Sequence, residues 1–266
     1  MSVSMNLDGL AERLDQAYVQ NRDLPRLTLE HPALTVDDGY AIQKKVVQYR
    51  LNRGDVTFGM KMGLTSKAKM SQMGVQFPIV GVLTDRMRVL PGDGLEFKKL
   101  IHPRVEPEVA FVLKLPIRRA LSRAEAFAHC AYVCAAIEII DSRYLNFDFR
   151  LPDVLADNCS AAHFVLGPLV APEALNDGTP EFGLGNLGMI LQIDGEGVQF
   201  GSSNAIMGHP LESLVELSRM CEARGIEVPA GQVILAGSST AAVAVERGSR
   251  VEVEVQKLGR VAVDFR

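Results

Sequence analysis

The stretch "HPRVEPEVAFVL", residues 102–113, sets the reading of the whole chain. As a β-strand, its period of two puts Glu106 and Glu108 on one face and Val105, Val109 and Phe111 on the other. Two carboxylates side by side repel, and neither gains by facing an apolar core unless a cation sits between them. The glutamates therefore face solvent from an edge strand, with Pro107 marking an edge or a bulge, or they face a metal.

A second acidic stretch, "AAIEIIDSRY" at residues 135–144, favours the metal. Glu138 lies between Ile137 and Ile139 in a run that reads as buried, where an ionised carboxylate needs a partner. Three carboxylates from two strands make a hard oxygen site suited to Mg²⁺ or Mn²⁺, with positions left open for substrate oxygens. Asp141 and Arg143 follow closely and are equally compatible with a structural salt bridge and with a site role.

Around these stretches the chain is ordinary for a globular protein. Its 266 residues are 47% hydrophobic and 23% charged, enough for a sizeable core, and a net charge of -4 gives no general electrostatic reason to bind nucleic acid or acidic membranes. Cys130, Cys134, Cys159 and Cys221 show neither CxxC spacing nor a zinc-type His pattern and read as packed thiols. The acidic, amphipathic opening "MSVSMNLDGLAERLDQ" lacks the features of an export signal, and no apolar stretch approaches the roughly 18 residues of a membrane span. The expected location is the cytoplasm.

Residues 1–54 read as a helical N-terminal segment, broken around Pro25 and Pro32, with a Thr35/Asp38 cap and a stop at Gly54. Residues 55–266 read as a mixed β catalytic domain. Its expected strands cover 57–62, 104–113, 136–141, 162–166, 188–193 and 232–235, then a hairpin of 250–257 and 260–265 about Leu258-Gly259. One helix is expected from Ser122 through "AFAHCAYV", and another after Pro210, ending near Gly225. Strands and helices do not alternate regularly, so the class is α+β rather than a doubly wound parallel sheet.

In the strand 57–62, Lys61 shares a face with Thr57 and Gly59, while Phe58, Met60 and Met62 take the core side. Gly59 and Gly63 are expected to leave room for a ligand beside the lysine, with "GLTSKAKMSQMGV" closing over it. The methionines read as apolar packing, and His102 and His209, each before a proline, as structural. Neither a GxSxG nor a Rossmann or Walker glycine pattern occurs.

Taken in order, "GMKMGLTSKAKMSQMGV", "IHPRVEPEVAFVL", "EIIDSRYLNFDF", "ADNCSA" and "GHPLESL" resemble the fumarylacetoacetate hydrolase superfamily from about residue 5 to the C-terminus. Within it they resemble the branch of 2-oxopent-4-enoate hydratases and 4-oxalocrotonate (2-oxo-3-hexenedioate) decarboxylases of aromatic meta-cleavage pathways. "KMGLTSKAKMSQMGV" and "IDSRYLNFDF" are more similar to the decarboxylases. Cys159 departs from the small residue expected in "ADNCS" and changes the site little.

The resemblance implies a mixed β-sheet roll with peripheral helices, an Mg²⁺ or Mn²⁺ site, and a 2-oxo dicarboxylate bound through its C1 carboxylate and C2 oxygen. Carried over by position, the metal ligands are Glu106, Glu108 and Glu138; Lys61 and Asp157 stand at the reacting substrate; Ser160 and Thr240 lie near a substrate carboxylate. It also implies a homo-oligomer and a complex with the homologous dienoate hydratase. The rivals are the hydratase reaction on the same scaffold, a C–C hydrolase of the wider superfamily and a non-catalytic partner. Intact Glu106, Glu108, Glu138, Lys61 and Asp157 argue against the last.

Overall fold

The computed structural model describes residues 6–179 and 181–266; the "MSVSM" opening of the expected helical segment lies outside the described residues. The described chain begins with α1 (Leu7–Val19), α2 (Leu27–Glu30) and α3 (Val36–Asn52). Thr35 caps α3 through a reciprocal pair of bonds, its side chain accepting from the Asp38 N–H and the Asp38 carboxylate accepting from the Thr35 N–H. Next come β1 (Thr57–Gly63), α4 (Lys67–Gln72), β2 (Ile79–Thr84), β3 (Arg88–Val89) and β4 (Arg104–Leu113). After α5 (Arg123–His129) and β5 (Cys130–Ile140), a short helix α6 (Leu151–Ala156) leads to β6 (Ala161–Leu166). The rest is β7 (Gly188–Ile193), β8 (Glu196–Ser202), α7 (Leu211–Arg224), β9 (Val233–Ser238), β10 (Val243–Ala244), β11 (Arg250–Val255) and β12 (Gly259–Asp264).

Eight strands make one sheet in the order β2-β1-β9-β4-β5-β6-β3, with β10 joined to β4, and a four-stranded sheet runs β12-β11-β7-β8. The large sheet is mixed: β1 pairs parallel with β9 and β3 parallel with β6, while β4 and β5 are antiparallel. One face of it, carrying Val109 and Phe111 of β4 and Ile137 of β5, packs on Leu191 and Val253 of the small sheet and on Leu217 of α7. This is the expected α+β roll with its main core between the two sheets. The opposite face carries a smaller apolar cluster of Ala110, Ala136, Phe164 and Leu235. Helices α1 and α3 bury Leu10, Leu14, Ile42 and Val46 against Tyr144 and Ala156.

Several local expectations change. β4 is central, flanked by β5 on one side and by β9 and β10 on the other, so the solvated edge strand is overturned. Pro107 stays in the ladder opposite Ile137, and the register with β9 slips between Glu108 and Ala110, a bulge beside the proline that cannot donate. The helix after Ser122 stops at His129, and "CAYV" belongs to β5, where Tyr132 and Val133 pair with Val112 and Phe111. Aromatic and β-branched residues with a waiting partner strand win over helical continuation. β2, β3, β8 and β10 have no counterpart among the expected strands; β8, exposed along most of its length, carries little apolar periodicity.

β1 also departs from strict alternation. A register shift between Thr57 and Gly59 turns Phe58 toward Phe164, while Met60 and Met62 pack on the main core. Phe58 therefore faces away from the two methionines. Gly59 does not make room for a ligand: a Cβ there would lie 1.9 Å from the Val233 carbonyl oxygen of β9. Its hydrogen is what lets β9 approach and dock β1 into the sheet.

Substituting Gly59→Ala is therefore expected to destabilise the fold by on the order of 3 kcal/mol or more, because the opposing atom is backbone and has no rotamer to yield. Urea denaturation of the purified variant measures this, and a midpoint close to that of the parent chain contradicts the assignment.

Candidate metal centre and active site

The polar side of the large sheet collects the charged residues that the sequence singled out. Glu106 of β4 stands directly opposite Glu138 of β5, and Glu108 is two residues along the same face, opposite Ser238 of β9. Lys61 of β1 pairs with Leu235 of β9 and so projects to the same side. All four are buried, with relative exposures of 6% for Glu106, 0% for Glu108 and Glu138, and 3% for Lys61. Facing like charges in an antiparallel pair is destabilising on its own, so the ladder alone does not account for Glu106 opposite Glu138.

One carboxylate oxygen from each glutamate lies within 4.8 Å of the others. Lys61 Nζ sits 2.8 Å from Glu138 Oε1, and Gly237 N–H donates to Glu108 Oε2 at 2.8 Å. Lys61 is the cation at Glu138 Oε1, while Glu138 Oε2 and Glu108 Oε1 are buried acceptors with no hydrogen-bond partner among the described residues. Three carboxylates thus share one buried, oxygen-only site, with the Lys61 ammonium set against Glu138. An oxygen-only set with orphaned acceptors fits a hard divalent cation such as Mg²⁺ or Mn²⁺.

The electrostatics agree. Burial, followed by the neighbouring carboxylates, raises the Glu108 pKa well above the usual range, and burial likewise raises that of Glu138 against the pull of Lys61. Burial alone would lower the Lys61 pKa, but Glu138, Glu106 and Glu108 outweigh it and raise it. The neighbouring carboxylates therefore favour the cationic form of Lys61.

Lys61 is held from its other side by the segment after α6. Asn158, Cys159 and Ser160 have φ of 50°, 56° and 56°, three successive non-glycine residues in the left-handed region. Such residues cost about 1–2 kcal/mol each, so the turn needs external support. Asn158 supplies some, its Oδ1 accepting from Val82 N–H and its Nδ2 donating to Val82 O, both at 2.8 Å. The turn brings the Cys159 carbonyl to 3.2 Å from Lys61 Nζ. Gly81, opposite Lys61 in β2, is needed here, since a Cβ would lie 2.8 Å from Asn158 O and 3.1 Å from Lys61 Cγ.

Asp157 lies at the base of this turn, fully buried. Its carboxylate is paired with the Arg143 guanidinium, accepts from the Arg143 N–H at 3.1 Å, and is 3.4 Å from the hydroxyls of Ser142 and Ser160. Arg143 also donates to Asp141 O at 2.7 Å and to Ala161 O at 3.4 Å, so it clamps both ends of the turn. Burial raises the Asp157 pKa while Arg143 opposes the shift. Asp141 uses both carboxylate oxygens on the N–H groups of Ile101 and His102, a structural role. His102 and His209 are likewise tied to backbone atoms.

A cavity of about 120 Å³ opens beside the centre. Lys61, Glu106, Ser160 and Ser238 supply its polar wall, and Leu64, Ile79, Phe149 and Val154 its apolar wall. Asp157 reaches it only through Ser160. Thr240 sits past the end of β9, its N–H donating to Ser238 Oγ at 3.2 Å and its own hydroxyl to Ala241 O, so it supports Ser238 rather than lining the cavity. Ser238 was not foreseen, and the structural salt bridge open to Arg143 is made with Asp157. "GSST" offers adjacent hydroxyls and only the end of β9 decides between them.

Residues 45–266 match the family described as fumarylacetoacetate (FAA) hydrolase C-terminal. The chain is 42% identical to a 4-oxalocrotonate decarboxylase of Pseudomonas sp. over 97% of each chain. It is also 32% identical to a 2-hydroxyhexa-2,4-dienoate hydratase of Comamonas testosteroni, covering 100% of this chain and 99% of the other. A solved structure of 4-oxalocrotonate decarboxylase from Pseudomonas putida G7, complexed with magnesium and adipate, superimposes with a TM-score of 0.92 at 37% identity, covering 98% of this chain and 97% of that one.

The raised carboxyl pKa values fix a sign for pH dependence. Groups that bind protons more tightly folded than unfolded lose their stabilising contribution as pH rises from the ordinary carboxylate range toward neutrality. Mg²⁺ competes with those protons, so its stabilisation should grow across the same window. Thermal melts with Mg²⁺ and with EDTA at stepped pH should show a Tm gap that widens upward. A gap that stays flat or narrows speaks against the three-glutamate site.

Proposed function

The chain belongs to the fumarylacetoacetate hydrolase family, and from that premise we propose that it decarboxylates 4-oxalocrotonate (2-oxo-3-hexenedioate) to 2-hydroxypenta-2,4-dienoate and CO₂ in meta-cleavage degradation of aromatic compounds. The observation that carries the reading is the buried triad of Glu106, Glu108 and Glu138 with Lys61 set against it. The likeness to decarboxylases at 42% and 37% identity, above the 32% to the hydratase, supports it over water addition.

In this substrate the departing carboxylate is on the carbon vinylogous to the ketone, so loss of CO₂ sends the electron pair through the conjugated chain toward the C2 oxygen. A divalent ion held by Glu106, Glu108 and Glu138, Mg²⁺ in the first instance, supplies Lewis-acid stabilisation of that developing charge. Lys61, cationic and shielded from water, binds the anionic substrate and adds to the same stabilisation. Ser160 and Ser238 offer hydroxyls to a substrate carboxylate, and Thr240 holds Ser238 in place. Asp157, 3.4 Å from Ser160 Oγ, takes part in proton movement between enol and keto forms by way of that hydroxyl.

Residues 55–266 form the catalytic domain in this reading, and residues 1–54 the helical segment that braces α6 beneath the strained turn. The enzyme is read as cytoplasmic and homo-oligomeric, in complex with a homologous dienoate hydratase that takes up its reactive product. Among the described residues no helix is long and apolar enough to cross a membrane.

Incubation with Mg²⁺ and 4-oxalocrotonate, followed by NMR, should show a 2-hydroxydienoate and released CO₂. Water addition to 2-hydroxypenta-2,4-dienoate without CO₂ release would instead establish the hydratase, and cleavage of an acylpyruvate the C–C hydrolase.

Glu108→Gln is expected to lower Mg²⁺ affinity and turnover by more than about a hundredfold, beyond the loss typical of an outer-shell partner, with the fold retained. Calorimetry and steady-state kinetics measure both. Arg143→Lys, which cannot reproduce the guanidinium fork, should lower kcat about tenfold or more while leaving Mg²⁺ affinity near parent. An equal loss of Mg²⁺ affinity would place Arg143 within the metal site itself.

A further inference from the structure

On the other side of β1 from the metal centre, α3 and α7 flank an apolar groove of about 570 Å³. Its floor is Met60 of β1 with Val80 and Val82 of β2, which alternate with Lys61 and Gly81 and so face away from the three glutamates. That volume falls in the range of small-molecule sites, which are mostly apolar with a few placed polar groups.

The groove is asymmetric in charge. Its lining contains two cations, Lys44 of α3 and Arg224 in the last turn of α7, and no carboxylate. Among the described residues neither cation has a carboxylate partner, although the chain as a whole has more acidic than basic residues, 32 against 28. The Arg224 guanidinium instead lies over the Tyr40 ring, 3.9 Å from its centroid, which fixes the cation at the groove wall and leaves its edge N–H groups to other acceptors. Gln43, buried at the inner end, donates to Val80 O and Leu155 O and closes the groove off from the strained turn.

We propose that this groove binds a small amphiphilic monocarboxylate, its apolar body on Met60, Val80 and Leu217 and its carboxylate between Lys44 and Arg224. Charge selects the class: a neutral apolar molecule gains nothing from the two exposed cations at the rim, and a dicarboxylate would place its second charge on the apolar floor. The site is separate from the metal centre and does not depend on the reaction assigned to it.

Isothermal titration of the Mg²⁺-loaded enzyme with sodium octanoate and sodium benzoate tests this, with 1-octanol as the neutral control and adipate present to fill the catalytic cavity. Saturable binding of at least one carboxylate is expected, unaffected by adipate and much weaker for the alcohol. The double variant Lys44→Gln/Arg224→Gln should weaken it about tenfold or more, as loss of charge-assisted hydrogen bonds does, and Ala41→Trp should abolish it by filling the groove, both with parent-like turnover. Absence of binding, displacement by adipate, or equal affinity in the double variant each overturns the proposal. So does a subunit contact here, revealed if parent oligomers dissociate in Met220→Arg during sedimentation.

Discussion

The constraint on which the rest depends is the placing of three carboxylates side by side on a sheet face that water does not reach. Desolvation and mutual repulsion both disfavour that arrangement, and the Lys61 ammonium opposes them at Glu138 and Glu108. The neighbouring structure follows from the need to hold these charges in place. β4 must be central, because an edge strand would let its glutamates turn to solvent. β9 must lie close enough to β1 for Lys61 to share the face, which leaves space for nothing larger than hydrogen at residue 59.

A second layer of cost surrounds the first. The left-handed turn at Asn158–Ser160 stores several kcal/mol by ordinary backbone preferences, and it is repaid by bonds that all point inward: Asn158 to β2, the Arg143 fork to Asp157 and Ala161. What the strain secures is the direction of a carbonyl and a hydroxyl. Cys159 O and Ser160 Oγ face the cavity because no regular helix or strand would present two successive residues to it from opposite chemical ends.

Much of this was legible from residues that are costly where they stand. A lysine at the end of "TFGMK" and a glutamate inside "AAIEII" are conspicuous because burial of an ion demands a partner, and the bounds of β4 were legible because a long apolar run carries its two glutamates on a single face. Legibility failed where tertiary contacts override local pattern. Phe58 changes face through a bulge that the sequence does not mark, and "CAYV" could serve as helix or strand until β4 supplied a partner. The left-handed turn carries only one residue, Asn158, of the type that favours it, and the place of Ser238 beside the cavity depends on where β9 ends, which contacts elsewhere set.

The parallel pairing of β1 with β9 has a consequence for how the centre comes together in time. Glu106 and Glu138 meet across a connection of about 30 residues, whereas Gly59 meets Val233 across roughly 170, which adds about 1.5 kcal/mol of loop-closure entropy. During synthesis the acidic hairpin is complete long before the strand that fixes the lysine has left the ribosome. A nascent chain thus carries its anionic half of the site alone, and only the arrival of β9 gives the lysine a register beside it.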